Sequence, residues 1–332
     1  MRLGAVVLSI WIAGCGEGSP PVDPCASVVC EQVPEPECVD DLTLRSYAAG
    51  SCDADSGACS YPSSDRDCAV ACLQARCVDE RRAWGWVTVI EERGELHGLF
   101  GWDGGVRAFF SLEPCMARSL ARHLRRFQQP LETRGACSLY QGYTWGQQDL
   151  APEPVLWDLG PIEISGTSQP LALAGAGRYE AADPPSDLFG AGDEIRATAA
   201  GGLLGPIALQ ASGVAELALA SDELHLRSGQ PLRVEWTPAG DGSRVELALL
   251  EGYHYPHPNS AALLCDAPDE VGAIEVPADL VDAYIENAAG GEWPIDWPKQ
   301  ITRYTRDVQT PYGDEIELIV GTSRAIDLVY HY

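Results

Sequence analysis

The feature that most constrains the fold of this chain is a run of eight cysteines between positions 25 and 77. Pro, Ser, Asp and Gly surround them, with few large apolar side chains, so this stretch cannot bury a hydrophobic core of its own. Covalent cross-links must replace that core, and we predict that these cysteines form disulfides. Their pairing stays open, because eight cysteines allow roughly a hundred combinations. The eight are Cys25, Cys30, Cys38, Cys52, Cys59, Cys68, Cys72 and Cys77.

Two metal interpretations of this cysteine-rich stretch compete with the disulfide interpretation. A zinc site favours Cys-x2-Cys knuckles, and the spacing here contains none. The segment Asp53–Gly57 resembles the opening of an EF-hand loop but lacks the distal glutamate. We therefore expect a tight hairpin turn closed by a disulfide, with Gly57 at positive φ.

The N-terminus has the pattern of an export signal. Arg2 precedes a short apolar run over residues 3–13, which is too short to span a bilayer. The residues Ile12-Ala13-Gly14-Cys15 resemble the lipobox of bacterial lipoproteins. That resemblance implies cleavage before Cys15, acylation of its thiol and, since no Asp follows the cysteine, sorting to the outer membrane or cell surface. The alternative is an ordinary secretory signal with a coincidental cysteine.

The lipobox followed by a cysteine-rich module is similar to surface lipoproteins of the myxobacterial type. In that family such modules are spacers or interaction elements, so the resemblance implies an architecture and no reaction. No later segment reaches about 18 consecutive apolar residues, so we predict no membrane-spanning helix.

The length of the chain and the change in residue composition along it indicate several domains. We predict a mainly β chain in which a small disulfide-rich module precedes two β-sandwich, Ig-like domains with one short amphipathic helix. The predicted segments are a signal peptide (1–14), a tether (15–24), the cysteine-rich module (25–80), a β-sandwich domain (81–220) and an Ig-like β-sandwich domain (221–332).

In the first predicted sandwich, short alternating strands recur about every ten residues between Gly and Pro. They include the regions around residues 86–91, 106–110, 160–165 and 193–199. Cys115 and Cys137 are the two cysteines of this domain. In an oxidising compartment we expect them to pair with each other.

An amphipathic helix is predicted from Pro114 to Pro130, because Leu120, Leu124 and Phe127 recur at helical spacing. Its basic residues form either a docking patch for an anionic partner or a solvated face that pairs with the protein's own carboxylates. These residues are Arg118, Arg122, Arg125 and Arg126.

In the second predicted sandwich, residues 232–236 and 245–249 alternate with a period of two and are predicted to form a hairpin. Residues 316–318 and 326–328 are expected to be strands joined through Gly321. The Val-x-Trp pattern at Trp236 resembles Ig-like and fibronectin-like sandwiches. Cys265 has no partner within this range, and we expect a buried small hydrophobe there.

The formal net charge of −27 disfavours nucleic acid as a partner. Gly-x-Ser-x-Gly, His-Glu-x-x-His and P-loop patterns are absent from the sequence, so we predict no catalytic residues. His254 and His257 have His-x-x-His spacing, but a zinc site needs a further ligand beyond two imidazoles. A calcium site at Asp266, Asp269 and Glu270 is the alternative to simple solvation, and we expect neither a metal nor a cofactor.

Trp293 and Trp297 form the one aromatic pair that suggests a ligand, since indole faces stack on sugar rings. The alternative is that they cap the sandwich. The preferred hypothesis is a noncatalytic, lipid-anchored surface protein for adhesion, binding of an envelope protein or polysaccharide, or envelope organisation. The alternatives are a carbohydrate-binding module using these two tryptophans and a secreted hydrolase with an unrecognised site.

Overall fold

The structure is a computed structural model of the chain. It describes residues 24–93, 105–112, 120–123, 125, 128–141, 154–181, 184–253, 261–288, 294–295, 299–311 and 315–331. The chain divides into two compact units, one ending at Val78 and the other beginning at Asp79. As the sequence predicts, the fold is mainly β, with a disulfide-rich N-terminal module. No helix in these ranges is both long enough and apolar enough to cross a membrane.

The first unit consists of short strands. Three of them form the sheet β1-β2-β5, and the pairs β3–β4 and β6–β7 are separate hairpins. Their bounds are β1 (Glu37–Cys38), β2 (Thr43–Tyr47), β3 (Ser51–Cys52), β4 (Cys59–Ser60), β5 (Ser63–Asp67), β6 (Ala71–Leu73) and β7 (Arg76–Val78).

Disulfides hold this first unit together in place of a core. The few buried side chains in its described part cluster near its end, at Cys68, Ala71, Cys72 and Val78. The disulfide prediction for the eight cysteines is therefore confirmed, and the structure supplies the pairing. The pairs are Cys25–Cys52, Cys30–Cys59, Cys38–Cys72 and Cys68–Cys77.

The turn between β3 and β4 has the predicted shape but not the predicted closure. Asp53 Oδ1 accepts hydrogen bonds from the backbone N–H groups of Asp55 (3.0 Å) and Ser56 (2.8 Å). Gly57 takes the left-handed conformation, with φ of 68°. The prediction that a disulfide closes this hairpin is wrong, because Cys52 and Cys59 bond to the two cysteines nearer the N-terminus.

The second unit contains eighteen described strands and one described α-helix. Their bounds are β8 (Trp84–Arg93), β9 (Gly105–Ser111), β10 (Glu132–Arg134), β11 (Cys137–Gln141), β12 (Ile162–Ser165), β13 (Leu171–Gly175), β14 (Arg178–Glu180), β15 (Glu194–Ala199), β16 (Ile207–Ser212), β17 (Glu223–Arg227), β18 (Leu232–Glu235), β19 (Arg244–Tyr253), β20 (Ala261–Pro268), β21 (Ala273–Val276), α1 (Ala278–Ala288), β22 (Pro294–Ile295), β23 (Lys299–Gln309), β24 (Ile316–Ala325) and β25 (Asp327–His331).

Fourteen of these strands share one sheet, in the order β10-β11-β20-β19-β23-β24-β8-β9-β14-β13-β12-β15-β16, with β22 added beside β19. At its centre β24 pairs in parallel with β8, although most neighbouring strands are antiparallel. Strands from both predicted sandwich ranges therefore lie in one sheet. Residues 79–332 form one compact unit, with no division at residue 220.

A hydrophobic core lies on one face of the β11-β20-β19-β23 part of this sheet. Val245, Leu247 and Leu249 alternate along β19 and contribute their side chains to it. Helix α1 and the two-stranded sheets β17–β25 and β18–β21 supply the facing apolar residues, among them Leu280 and Leu226. Burial on this scale is the main favourable term in folding.

Two predicted connections in this region are wrong. The strand at Leu232 pairs with β21, whereas β19 lies between β20 and β23, so these two strands do not form a hairpin. Gly321 is not in a turn but inside β24. A Cβ at Gly321 would lie 2.5 Å from the carbonyl oxygen of Arg303, so the glycine allows close approach of two strands.

The predicted disulfide between Cys115 and Cys137 is also wrong. Cys137 bonds instead to Cys265, which lies directly opposite it where β11 pairs with β20. Cys265 is fully buried, as expected, but as half of a disulfide rather than as a free thiol. Cys115 lies outside the described residues.

Candidate functional site

Five polar side chains point from one face of four neighbouring strands. Glu246 of β19 pairs in register with Asp266 of β20, and Arg244 of β19 pairs with Tyr304 of β23. Residues paired in register, or two apart on a strand, share a face. By the same rule, Glu317 of β24 lies on the face of Tyr304, because Tyr304 pairs with Gly321.

Residues 120–125 supply the complementary cations. We use the term charged cluster for Arg122, His123, Glu246, Asp266, Tyr304 and Glu317. The segment includes a turn of 3₁₀-helix at Ala121–His123, and Leu120 packs into the aromatic core that Trp84, Trp86 and Tyr304 help to form. The cluster thus lies between this segment and the sheet, on the face opposite the core that contains Val245, Leu247 and Leu249.

Arg122 is the central cation of the cluster. Its guanidinium Nη2 lies 3.2 Å from Glu246 Oε1, and both side chains are almost completely buried. Its Cζ lies 4.0 Å from the centre of the Tyr304 ring, which is cation–π geometry. A buried charge is tolerated only where a partner of opposite charge compensates its desolvation, and Glu246 is that partner.

His123 joins the same segment to β24. Its Nδ1 accepts a hydrogen bond from the backbone N–H of Leu120 (3.0 Å), and its Nε2 contacts a carboxylate oxygen of Glu317. Because an ionised carboxylate only accepts hydrogen bonds, Nε2 is the ring nitrogen that donates to Glu317. The edge of Trp84 packs against the imidazole, with ring centroids 5.4 Å apart.

Asp266 completes the cluster towards the solvent. Its carboxylate receives hydrogen bonds from Arg244 Nε (3.0 Å), Tyr304 Oη (3.2 Å) and Arg125 Nη1 (3.3 Å). Arg125 is exposed, so its contact adds less than the buried ones.

Burial perturbs the ionisation of two members of the cluster. It raises the pKa of Tyr304 to about 12, with the charges of Glu246 and Asp266 acting in the same direction and that of Arg122 opposing them. Burial also raises the pKa of Glu317. The hydrogen bond and charge interaction with His123, together with the positive charges of Arg122 and Arg306, outweigh that effect, so the pKa of Glu317 is lowered overall.

The charged cluster attaches the segment that carries Arg122 and His123 to the sheet. Its acids and bases face one another across the interface between the segment and the sheet, and almost all are buried. The arrangement fixes residues 120–123 and 125 to the sheet by charge and hydrogen bonding.

This geometry corrects the interpretation of the arginines as an open basic patch. Arg122 is 7 % exposed and bonded to Glu246, and Arg125 contacts Asp266. For these two residues, pairing with the protein's own carboxylates is the correct alternative. Arg118 and Arg126 lie outside the described residues, as does most of the predicted helix.

A second buried ion pair lies on the opposite face. Arg303 Nη2 is 2.8 Å from Asp269 Oδ1, and Arg303 also donates to the backbone carbonyls of Glu216 (3.0 Å) and Thr237 (2.6 Å). Asp269 in turn accepts from the N–H of Ala239 (2.6 Å). Asp266 is held by arginines as well, so both aspartates pair with cations of the protein.

Sequence reasoning missed Glu246 and Glu317 because both occupy alternate positions in strands, where a polar residue usually faces solvent. Here both are buried, since residues 120–125 cover that face of the sheet. The one available signal was the nearby cluster of arginines, which needs carboxylate partners.

Several predicted site residues lie outside the described residues: Cys15, Trp293, Trp297, His254 and His257. Within the described residues, no group of three or more His, Cys, Asp or Glu side chains is arranged to hold a metal ion.

No protein-family model matches this chain, and a search of curated proteins finds no significant relative. What the structure defines is an architecture, in which a disulfide-rich module is followed by a large β unit.

Proposed function

We propose that this chain is an exported, lipid-anchored protein of the bacterial cell envelope that binds a partner without catalysing a reaction. The acyl chains would be attached to Cys15, and the cysteine-rich module would act as a spacer between the membrane and the β unit. An envelope protein or polysaccharide is the expected partner, and the outer membrane or cell surface the expected location.

The observation that carries this proposal is the pairing of all eight module cysteines in four disulfides. With Cys137–Cys265, the described residues contain five disulfides, which indicate folding in an oxidising compartment. A module built this way keeps its shape without a core, which suits a spacer exposed to solvent on most sides.

The charged cluster supports the noncatalytic part of the proposal. Its histidine and carboxylates are the groups that acid–base catalysis uses, but they are occupied in holding residues 120–123 and 125 against the sheet.

The proposed anchor is strong enough for this location. Several acyl chains, at about 0.8 kcal/mol per buried CH₂, give the stable attachment that a surface protein needs.

The anchor is tested by mass spectrometry of the chain purified from bacterial envelopes. We expect an N-terminus that begins at an acylated Cys15, and loss of both acylation and membrane association in Cys15→Ser. Cys115→Ser is the matched control and should retain the lipid. An uncleaved N-terminus with free thiols between residues 25 and 77 would overturn the proposal.

Partner binding is tested by chemical cross-linking in intact envelopes, with Cys15→Ser as the mislocalised control. We expect a specific cross-linked species that depends on the anchor. Hydrolysis of envelope polysaccharide by the purified chain, abolished in Glu317→Gln while the fold is retained, would instead establish an enzyme.

A further inference from the structure

Two histidines meet on the exposed face of the small parallel sheet β17–β25. Alternate residues of β17 face solvent, so Glu223 and His225 lie on the same exposed side. His331 of β25 pairs in register with Arg227, two residues beyond His225 on that side. The sheet therefore brings together two imidazoles and a carboxylate.

The hydrogen bonds of His225 define the state of its ring. Its Nε2 lies 2.9 Å from Glu223 Oε1, and its Nδ1 lies 2.9 Å from His331 Nε2. An ionised carboxylate only accepts hydrogen bonds, so Nε2 of a neutral His225 carries the proton. In this tautomer the lone pair of Nδ1 accepts the hydrogen bond from Nε2 of His331.

We propose that His225 and His331 form a surface binding site for a divalent transition-metal ion, with Glu223 orienting His225. A histidine that ligates a metal through one ring nitrogen commonly donates its other N–H to a carboxylate, which fixes the tautomer and strengthens the ligand. Glu223 has that position here. The metal would replace the hydrogen bond between the two rings.

The spacing of the rings suits a shared ion. Their centroids are 5.1 Å apart. Two imidazoles on one metal, with metal–nitrogen bonds of about 2.0–2.1 Å, have centroids about 4.5–5 Å apart. For both nitrogens to face one ion, each ring must rotate so that its nitrogen no longer points directly at the other ring. The side chain of His225 is exposed, which leaves room for this rotation.

Local charges act in both directions on the site. Arg227, which pairs in register with His331, repels a cation, whereas Glu223 attracts one. With two protein ligands and solvent in the remaining positions, the ion with the highest intrinsic affinity for nitrogen, Cu²⁺, is the best probe.

The test is titration of the full chain, purified in detergent, with Cu²⁺ alone in a non-chelating buffer. We expect one ion per chain by calorimetry, and an electron paramagnetic resonance spectrum with hyperfine coupling to two nitrogens. His225→Ala and His331→Ala should each weaken binding at least tenfold, and Glu223→Gln should weaken it several-fold.

The matched control replaces the other closely spaced histidines, His254→Ala with His257→Ala, and should bind Cu²⁺ like the unmodified chain. The proposal fails if the unmodified chain binds no Cu²⁺, if both single variants keep its affinity, or if only the control loses binding. Circular dichroism of each variant verifies that the fold is intact.

Discussion

Cys137 and Cys265 lie directly opposite each other on neighbouring antiparallel strands, and their disulfide joins positions 128 residues apart in the chain. One cysteine belongs to each of the ranges that the sequence suggests are separate sandwiches. The bond therefore links these two ranges covalently through neighbouring strands near one end of the long sheet, inside a hydrophobic core.

Removing this disulfide should destabilise the second unit. We expect Cys137→Ala with Cys265→Ala to lower the free energy of unfolding by about 2–5 kcal/mol, because the bond restricts a long loop in the unfolded chain. Urea denaturation measures the loss. In Cys115→Ala, a non-reducing peptide map should still contain the linked 137–265 peptides, and their absence would contradict the assigned pairing.

The buried pair Arg303–Asp269 should tolerate the loss of one partner poorly. Asp269→Asn leaves the guanidinium buried without its counter-charge, so we expect a loss of about 3–5 kcal/mol in the free energy of unfolding. Glu235→Gln, in the exposed pair with Arg233, is the control and should change it little. Equal effects of the two substitutions would show that burial does not set the strength of these pairs.

Glu317 should make the protein sensitive to acid. Because its pKa is lower in the folded than in the unfolded state, its stabilising contribution is complete above the unfolded value, near 4.5. That contribution is lost as the pH falls through the folded pKa. We expect Glu317→Gln to flatten the fall in unfolding free energy below pH 4.5, measured by urea denaturation at successive pH values.

The exposed carboxylate Glu163 provides the control for the loss of one negative charge. Glu163→Gln should leave the fall in unfolding free energy below pH 4.5 unchanged. If that fall is as steep in Glu317→Gln as in the unmodified chain, Glu317 does not have this role.

Reduction should affect the two units differently. The first unit depends on its disulfides for shape, whereas Cys137 and Cys265 are 0 % exposed and inaccessible to a reductant. In mild reductant we expect amide hydrogen exchange to become fast across residues 24–78 and to stay slow in β19. Retained protection in the first unit would mean that an apolar core, rather than the cross-links, maintains it.

Much of the secondary structure is predictable from local pattern. The alternation at residues 193–199 and 245–249 corresponds to β15 and β19. These elements follow from side-chain periodicity, which a single segment carries by itself. The cysteine-rich module is predictable for a similar reason, since its composition excludes a core.

Pairing between distant segments is not predictable in this way. Which cysteine bonds to Cys137 depends on the register of β11 against β20, and neither strand specifies its neighbour. The burial of Arg122 likewise depends on Glu246, which lies far along the chain and looks like an ordinary exposed strand residue. Such partners become visible only when the order of the strands is known.

The parallel pairing of β8 with β24 has a consequence for how the protein is made. The first long strand of the second unit must wait for residues 316–324, more than two hundred positions later, so the middle of the sheet forms only after that segment has been synthesised. Until then one edge of β8 can pair with the wrong strand or with another molecule. A nascent chain of this protein therefore needs protection from aggregation during that interval.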